Sequence, residues 1–165
     1  MKLSKHFSLR EMLKSDTGQR HGIENEYNDR VLCNLTAICQ RVLEPLREEF
    51  GPILISSGYR HPEINRLIGS SDSSSHIAGF LDGGTKAAVD CEAFSSEISN
   101  LQLVHFIRDE LSFSQVISEY WIPGDPHSGW VHVSYDSIDA SNNCDCLTAS
   151  RVDGKTQYSE GLPEA

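Results

Sequence analysis

Two short runs in which apolar and polar residues alternate limit what this chain can fold into, because the alternation assigns each side chain to one of two sheet faces. In Trp130-Val131-His132-Val133-Ser134-Tyr135, the residues Val131, Val133 and Tyr135 form an apolar face, while Trp130, His132 and Ser134 lie on the other. Over residues 87–94, Val89, Cys91 and Ala93 form the core-compatible face, with Asp90 and Glu92 opposite. Side by side in one sheet, the two strands would put Asp90 and His132 on a common surface turned away from the core. His76, in Ser74-Ser75-His76-Ile77-Ala78-Gly79, supplies a third donor. Two imidazoles and a carboxylate are donors that hold a catalytic zinc while leaving a fourth position open for water. Singly, His132 also reads as a hydrogen-bonded strand histidine and Asp90 as an ordinary surface acid. It is the set that points to a hydrolase.

The rest of the pattern gives an α+β order. Residues 7–14 read as a short helix begun by Ser8, with an irregular polar stretch following to residue 27. From 28 to 50, Val31, Leu32, Leu35, Ile38, Val42, Leu43, Leu46 and Phe50 recur every three or four residues. That spacing predicts an amphipathic helix, kinked at Pro45 and ended by Gly51-Pro52. Ile53-Leu54-Ile55 reads as a strand running into the Ser57-Gly58-Tyr59-Arg60 turn, and residues 69–86 as a polar loop carrying His76. Residues 96–111, with Ile98, Leu101, Val104, Ile107 and Leu111, read as a second amphipathic helix. Residues 116–121 read as a strand, and Pro123-Gly124-Asp125-Pro126 as a turn into the His132 strand. A chain of 165 residues fits one domain with a single core, here 1–140. Residues 141–165 are polar and aperiodic, which predicts a tail that is peripheral or partly disordered.

A net charge of −10 argues against nucleic acid as a partner, since Lys and Arg drive binding to phosphates. No apolar run is long enough to insert in a membrane, and the basic Met1-Lys2-Leu3-Ser4-Lys5-His6 lacks the apolar stretch of a secretory signal. The chain is thus expected to stay in the cytoplasm unless another factor releases it. Five cysteines, at 33, 39, 91, 144 and 146, form no spaced framework and suit reduced thiols. Cys33, Cys39 and Cys91 are expected to be buried in their helix and strand. Cys144-Asp145-Cys146 has no second Cys or His pair at finger spacing, which argues against a metal there.

Ser56-Ser57-Gly58-Tyr59-Arg60, Asn65-Arg66-Leu67-Ile68-Gly69-Ser70, Ser74-Ser75-His76-Ile77-Ala78-Gly79, Ala87-Ala88-Val89-Asp90, Gln115-Val116-Ile117-Ser118-Glu119 and Trp130-Val131-His132-Val133-Ser134 follow one another along the chain. In that order they resemble the zinc D-Ala-D-Ala carboxypeptidases of the peptidase M15 family, over residues 4–136. Phe7-Ser8-Leu9, Ser15-Asp16-Thr17 and Gly51-Pro52 are most similar to the phage-lysin branch of that family.

The resemblance implies a small antiparallel sheet with flanking helices, in a hedgehog/DD-peptidase-like fold. It implies one zinc ion held by His76, Asp90 and His132, with substrate contacts from Arg60, Ser74 and Trp130. Arg60 would hold a peptide carboxylate or polarise the carbonyl under attack; on its own it also reads as the partner of a surface acid. Glu119 is the first choice for the base, with Asp125 and His127 in reserve. The implied partner is the stem peptide of bacterial peptidoglycan. The implied role is that of a monomeric phage endolysin, gathering in the host cytoplasm and reaching the wall when a holin opens the membrane. An L-Ala-D-Glu endopeptidase on the same fold, and a non-catalytic zinc-containing binding or virion structural module, are the alternatives.

Two departures from the family pattern stand out. Some branches place an acid three residues before the last His, where this chain has Gly129. Phe80-Leu81-Asp82-Gly83-Gly84-Thr85-Lys86 is inserted between His76 and Asp90, as a lid or specificity loop, and brings Asp82 as a rival ligand. Loops tolerate insertions at small entropic cost, and the small residues Ala87 and Ala88 ahead of Asp90 favour it over Asp82.

Overall fold

The computed structural model describes residues 1–164. Its centre is a six-stranded sheet in the order β1-β2-β4-β3-β5-β6. The strands are β1 (Ile53–Ser57), β2 (Lys86–Ala93), β3 (Gln115–Glu119), β4 (Trp130–Asp136), β5 (Asp145–Val152) and β6 (Lys155–Glu160). Helices α1 (Leu9–Met12), α2 (Asp16–His21), α3 (Asp29–Ile38), α4 (Glu44–Phe50), α5 (Pro62–Leu67) and α6 (Asn100–Glu110) flank it. The α+β class is as expected, but the sheet is mixed: β3 and β5 run parallel, and every other neighbouring pair is antiparallel. Chain direction explains this. β5 follows β4 and opposes it, but steps past β3 to that strand's far side, so β3 and β5 point the same way.

The core lies on the face chosen by the alternation. Val89, Cys91, Val116, Val131, Val133 and Tyr135 pack there against Val31, Leu35 and Ile38 of α3 and Leu103, Val104 and Ile107 of α6. Local chemistry starts the helices. Asn28 caps α3 by accepting from Val31 N–H, and Ser99 caps α6 in a reciprocal box with Gln102. Pro45 does not simply kink the long helix. The ladder widens into a π turn over Cys39–Leu43, where Glu44 N–H reaches Cys39 O, five residues back. Such a turn accommodates a proline that cannot donate and whose ring crowds the preceding turn.

Four elements carry no readable period. α2 has one buried residue, Gly18, and α5 is six residues begun by Pro62. The segment expected as a peripheral or partly disordered tail forms β5 and β6, the last two strands at one end of the sheet. In β5 only Ala149 is buried and β6 is exposed throughout, so backbone pairing orders these strands without an apolar stripe. Cys39 and Cys91 are buried, and burial pushes the Cys39 thiol up to about 12 and Cys91 higher still. Cys33, expected to be buried, is exposed because it lies on the solvent side of α3. Among the described residues no helix is long and apolar enough to cross a membrane.

Glu44 ties the N-terminal segment to the helices. It accepts from His6 N–H at 2.6 Å, and His6 Nδ1 lies 2.7 Å from its other oxygen. Burial raises its pKa, but hydrogen bonds from Ser4 and His6 outweigh that and lower it from 4.5 to about 2. Ionised Glu44 therefore stabilises the fold fully above pH 4.5, and that contribution is lost as pH falls toward 2. Glu44→Gln is expected to cost about 2 kcal/mol at neutral pH. Urea unfolding should show the gap to wild type closing as pH falls, and a gap independent of pH would contradict this.

Candidate metal centre

β2 and β4 pair so that Asp90 stands directly opposite His132. His76 arrives from a tight 3₁₀ turn over Ser75–Ile77, begun by Ser74, whose Oγ accepts from His76 N–H. His132 Nδ1 lies 2.8 Å from Asp90 Oδ1, and His76 Nε2 lies 3.2 Å from the same oxygen. The two imidazole nitrogens are 3.3 Å apart. Bonds of about 2.0–2.1 Å to a tetrahedral zinc separate neighbouring donors by about 3.3 Å, so the three atoms fit that ion. Among the described residues this is the one His/Cys/Asp/Glu group of such geometry; Cys144 and Cys146 form none.

Protonation favours the same reading. His76 Nδ1 lies 2.7 Å from Gly58 O, which makes it the donor and leaves the Nε2 lone pair for a metal. Burial lowers the pKa of His76, which is only 2% exposed, and so favours the neutral ring. Burial alone would raise Asp90, but His76 and His132 outweigh it and hold the carboxyl well below the usual range. A neutral imidazole and an ionised carboxylate are the forms that bind metal.

The insert does not obstruct this convergence. Gly79, at φ +75°, comes so close to Gly84 that a Cβ would lie 2.1 Å from Gly84 O, and this contact closes the loop at its neck. The buried Asn34 amide donates to Ala78 O at 3.0 Å and Gly84 O at 2.9 Å, holding both sides of the neck to α3. Phe80 packs edge-on against His61, with ring centroids 5.0 Å apart. Asp82 is exposed, accepts from Gly84 N–H and stays outside the triad.

Arg60 and Glu119 lie beside the three donors. Arg60 N–H donates to His76 O at 2.9 Å. Asn25 brackets Arg60, donating to Tyr59 O at 2.8 Å and accepting from His61 N–H at 2.7 Å. Arg60 Nε is buried with no hydrogen-bond partner among the described residues, and the side chain lines a 210 Å³ pocket with Lys14, Ser15, Thr17, Ser56 and Ser57. Burial lowers its pKa, while the charges of Asp90 and Glu119 oppose that shift. Glu119 stands opposite Trp130, on the sheet face that carries His132. Burial and the charge of Asp90 push its carboxyl up, with His132 and Arg60 opposing.

The other candidates are less central. Asp125 and His127 are exposed, and Asp125 accepts from His127 N–H at 3.1 Å. The Ser74 hydroxyl serves the His76 turn. Asn25, Asn34 and the Gly58 carbonyl had no signal in sequence, since each acts across a long separation through backbone groups.

Gly129 has a structural reason of its own. It sits at φ +66°, and a Cβ there would fall 1.9 Å from Glu119 O. An acid at this position is incompatible with the close approach of the two strands. Gly129→Asp is expected to cost about 2 kcal/mol or more. Thermal unfolding checks this, and a melting point equal to wild type would contradict it.

The family model for peptidase M15 matches residues 5–134. No curated protein matches the chain. The matched region contains the triad, Arg60 and Glu119 and ends within β4, ahead of β5 and β6. The match covers most of the chain, which belongs to the peptidase M15 family.

Proposed function

We propose that the chain is a zinc peptidase cutting the stem peptide of bacterial peptidoglycan as a D-Ala-D-Ala carboxypeptidase does, and that it serves a phage as an endolysin. The observation that carries this reading is the convergence of His76, Asp90 and His132 on one sheet face. These three would hold one zinc ion. When bound, zinc supplies Lewis acidity that polarises a carbonyl and lowers the pKa of water.

Each remaining role follows from a side chain's surroundings. The buried, unpartnered Nε of Arg60 suits a terminal carboxylate, gripped by the guanidinium fork, which is why the carboxypeptidase reading leads. Glu119, its pKa raised toward the working range, takes the proton of the attacking water and returns it to the leaving amine. Trp130 walls the substrate path, and Ser74 acts through the turn that presents His76. With a net charge of −10, specific contacts rather than attraction to an anionic wall would govern binding. The same proposal has the protein act as a monomer, gather in the host cytoplasm and meet the wall after release by a holin.

Digestion of purified peptidoglycan followed by mass analysis tests the reading. Loss of terminal D-Ala is the expected result. Cleavage between L-Ala and D-Glu would replace it with the endopeptidase, and no product at all would replace it with a binding or structural module.

A further inference from the structure

The chain has two tryptophans, and both line one cleft. Trp121 and Trp130 bound a space of about 600 Å³ with Tyr120, Ile122 and Arg151. It adjoins the candidate metal centre, because Trp130 precedes His132 by two residues on the same strand face, a step of roughly 7 Å. Its far wall is β5, which lies beyond the residues matched by the family.

Two polar groups of this cleft lack a hydrogen-bonding or charged partner among the described residues, and a third residue is held in an unusual conformation. The parallel register sets Glu119 beside Ala149, so Arg151, two residues on, shares the face of Glu119 and Trp130. Its guanidinium lies 5.4 Å from the centroid of the Tyr120 ring, and no carboxylate lies within 4.0 Å of it among the described residues. Trp121 Nε1 is buried without a hydrogen-bond partner among the described residues. Tyr120 adopts φ +57°, unusual for a residue other than glycine. It is held there by its N–H to Ala149 O at 2.8 Å and by its hydroxyl at 2.7 Å from Thr156 Oγ1. The β5–β6 hairpin thus fixes the ring that Arg151 covers.

An unpaired guanidinium, an unpaired indole donor and aromatic faces together match a planar anion on an extended chain. We propose that this cleft is a subsite for an internal carboxylate of the peptide substrate, bound by Arg151 and the Trp121 N–H while the chain lies along Tyr120 and Trp130. This inference rests on the peptidase reading and adds a substrate preference to it. Ile117 pairs with both His132 and Leu147, so Arg151 lies two strand spacings across and four residues along from His132, a diagonal of roughly 17 Å that about three residues of extended peptide and the arginine side chain span together. An internal carboxylate a few residues before the scissile bond therefore reaches Arg151. In a stem peptide that group is the free carboxyl of its glutamate, so stems carrying a carboxamide there would bind less well.

Because both tryptophans line the cleft, intrinsic fluorescence of the full chain reads occupancy without any cleavage. The probe is acetyl-L-Ala-γ-D-Glu-L-Lys, compared with the same tripeptide carrying a carboxamide on its glutamate. The free acid is expected to shift Trp emission saturably and bind about tenfold more tightly than the amide. Arg151→Gln should erase that preference, raising KM for free-acid stems with kcat unchanged. Trp121→Phe, which keeps a ring and removes the donor, should weaken it. Equal binding of acid and amide, or a preference surviving in Arg151→Gln, would overturn the subsite. Preference without wall digestion would retain the carboxylate site and remove the peptidase reading, whereas digestion without preference would remove the subsite alone.

Discussion

His132→Ala is expected to abolish metal retention and wall digestion together while leaving the protein folded. The substitution removes one of three donor atoms, leaving His76 Nε2 and Asp90 Oδ1. Loss of a group that merely orients a ligand typically weakens metal binding about 10–100-fold, so loss of the ligand itself should cost more than about 100-fold. The fold should survive because His132 is on the site face, whereas its neighbours Val131 and Val133 carry the core contacts of β4. Metal content, digestion rate and circular dichroism on the same preparation check this. A folded His132→Ala that digests wall at the wild-type rate would remove the residue from the site.

The placement of His132 was legible because period-2 alternation specifies a face. The same logic placed Asp90, and pairing β2 with β4 then put the two directly opposite each other. The insert at 80–86 made the choice of Asp90 over Asp82 harder to read, since sequence does not reveal that Asn34 and the Gly79–Gly84 contact close the loop. α2, α5, β5 and β6 were missed for one physical reason: each buries too little apolar surface to leave a period. Cys33 was misjudged because membership of a helix does not say which side of it a residue faces. The cleft around Arg151 was invisible for the same reason as β5, being made by backbone pairing of a polar strand.

Glu119→Gln is the second large effect. The amide keeps the size of the side chain but cannot take a proton, so kcat is expected to fall about 10²–10⁴-fold. Zinc content and KM should change little, because the triad and Arg60 are untouched. Asp125→Asn and His127→Ala, in the exposed turn, should stay near wild type. A collapse of kcat in either of those variants, with Glu119→Gln active, would transfer the role of base to the turn. The raised pKa of Glu119 arises first from its burial and then from the charge of Asp90. The local geometry also leaves no room for an acid at Gly129.

The central claim is that His76, Asp90 and His132 hold a single zinc on which wall-peptide cleavage depends. Titrating zinc into chelator-stripped wild-type protein while following peptidoglycan digestion tests it most directly. The predicted result is no digestion by the stripped protein and full recovery at one equivalent of zinc. Digestion that persists after stripping, or none after one equivalent has bound, would contradict it.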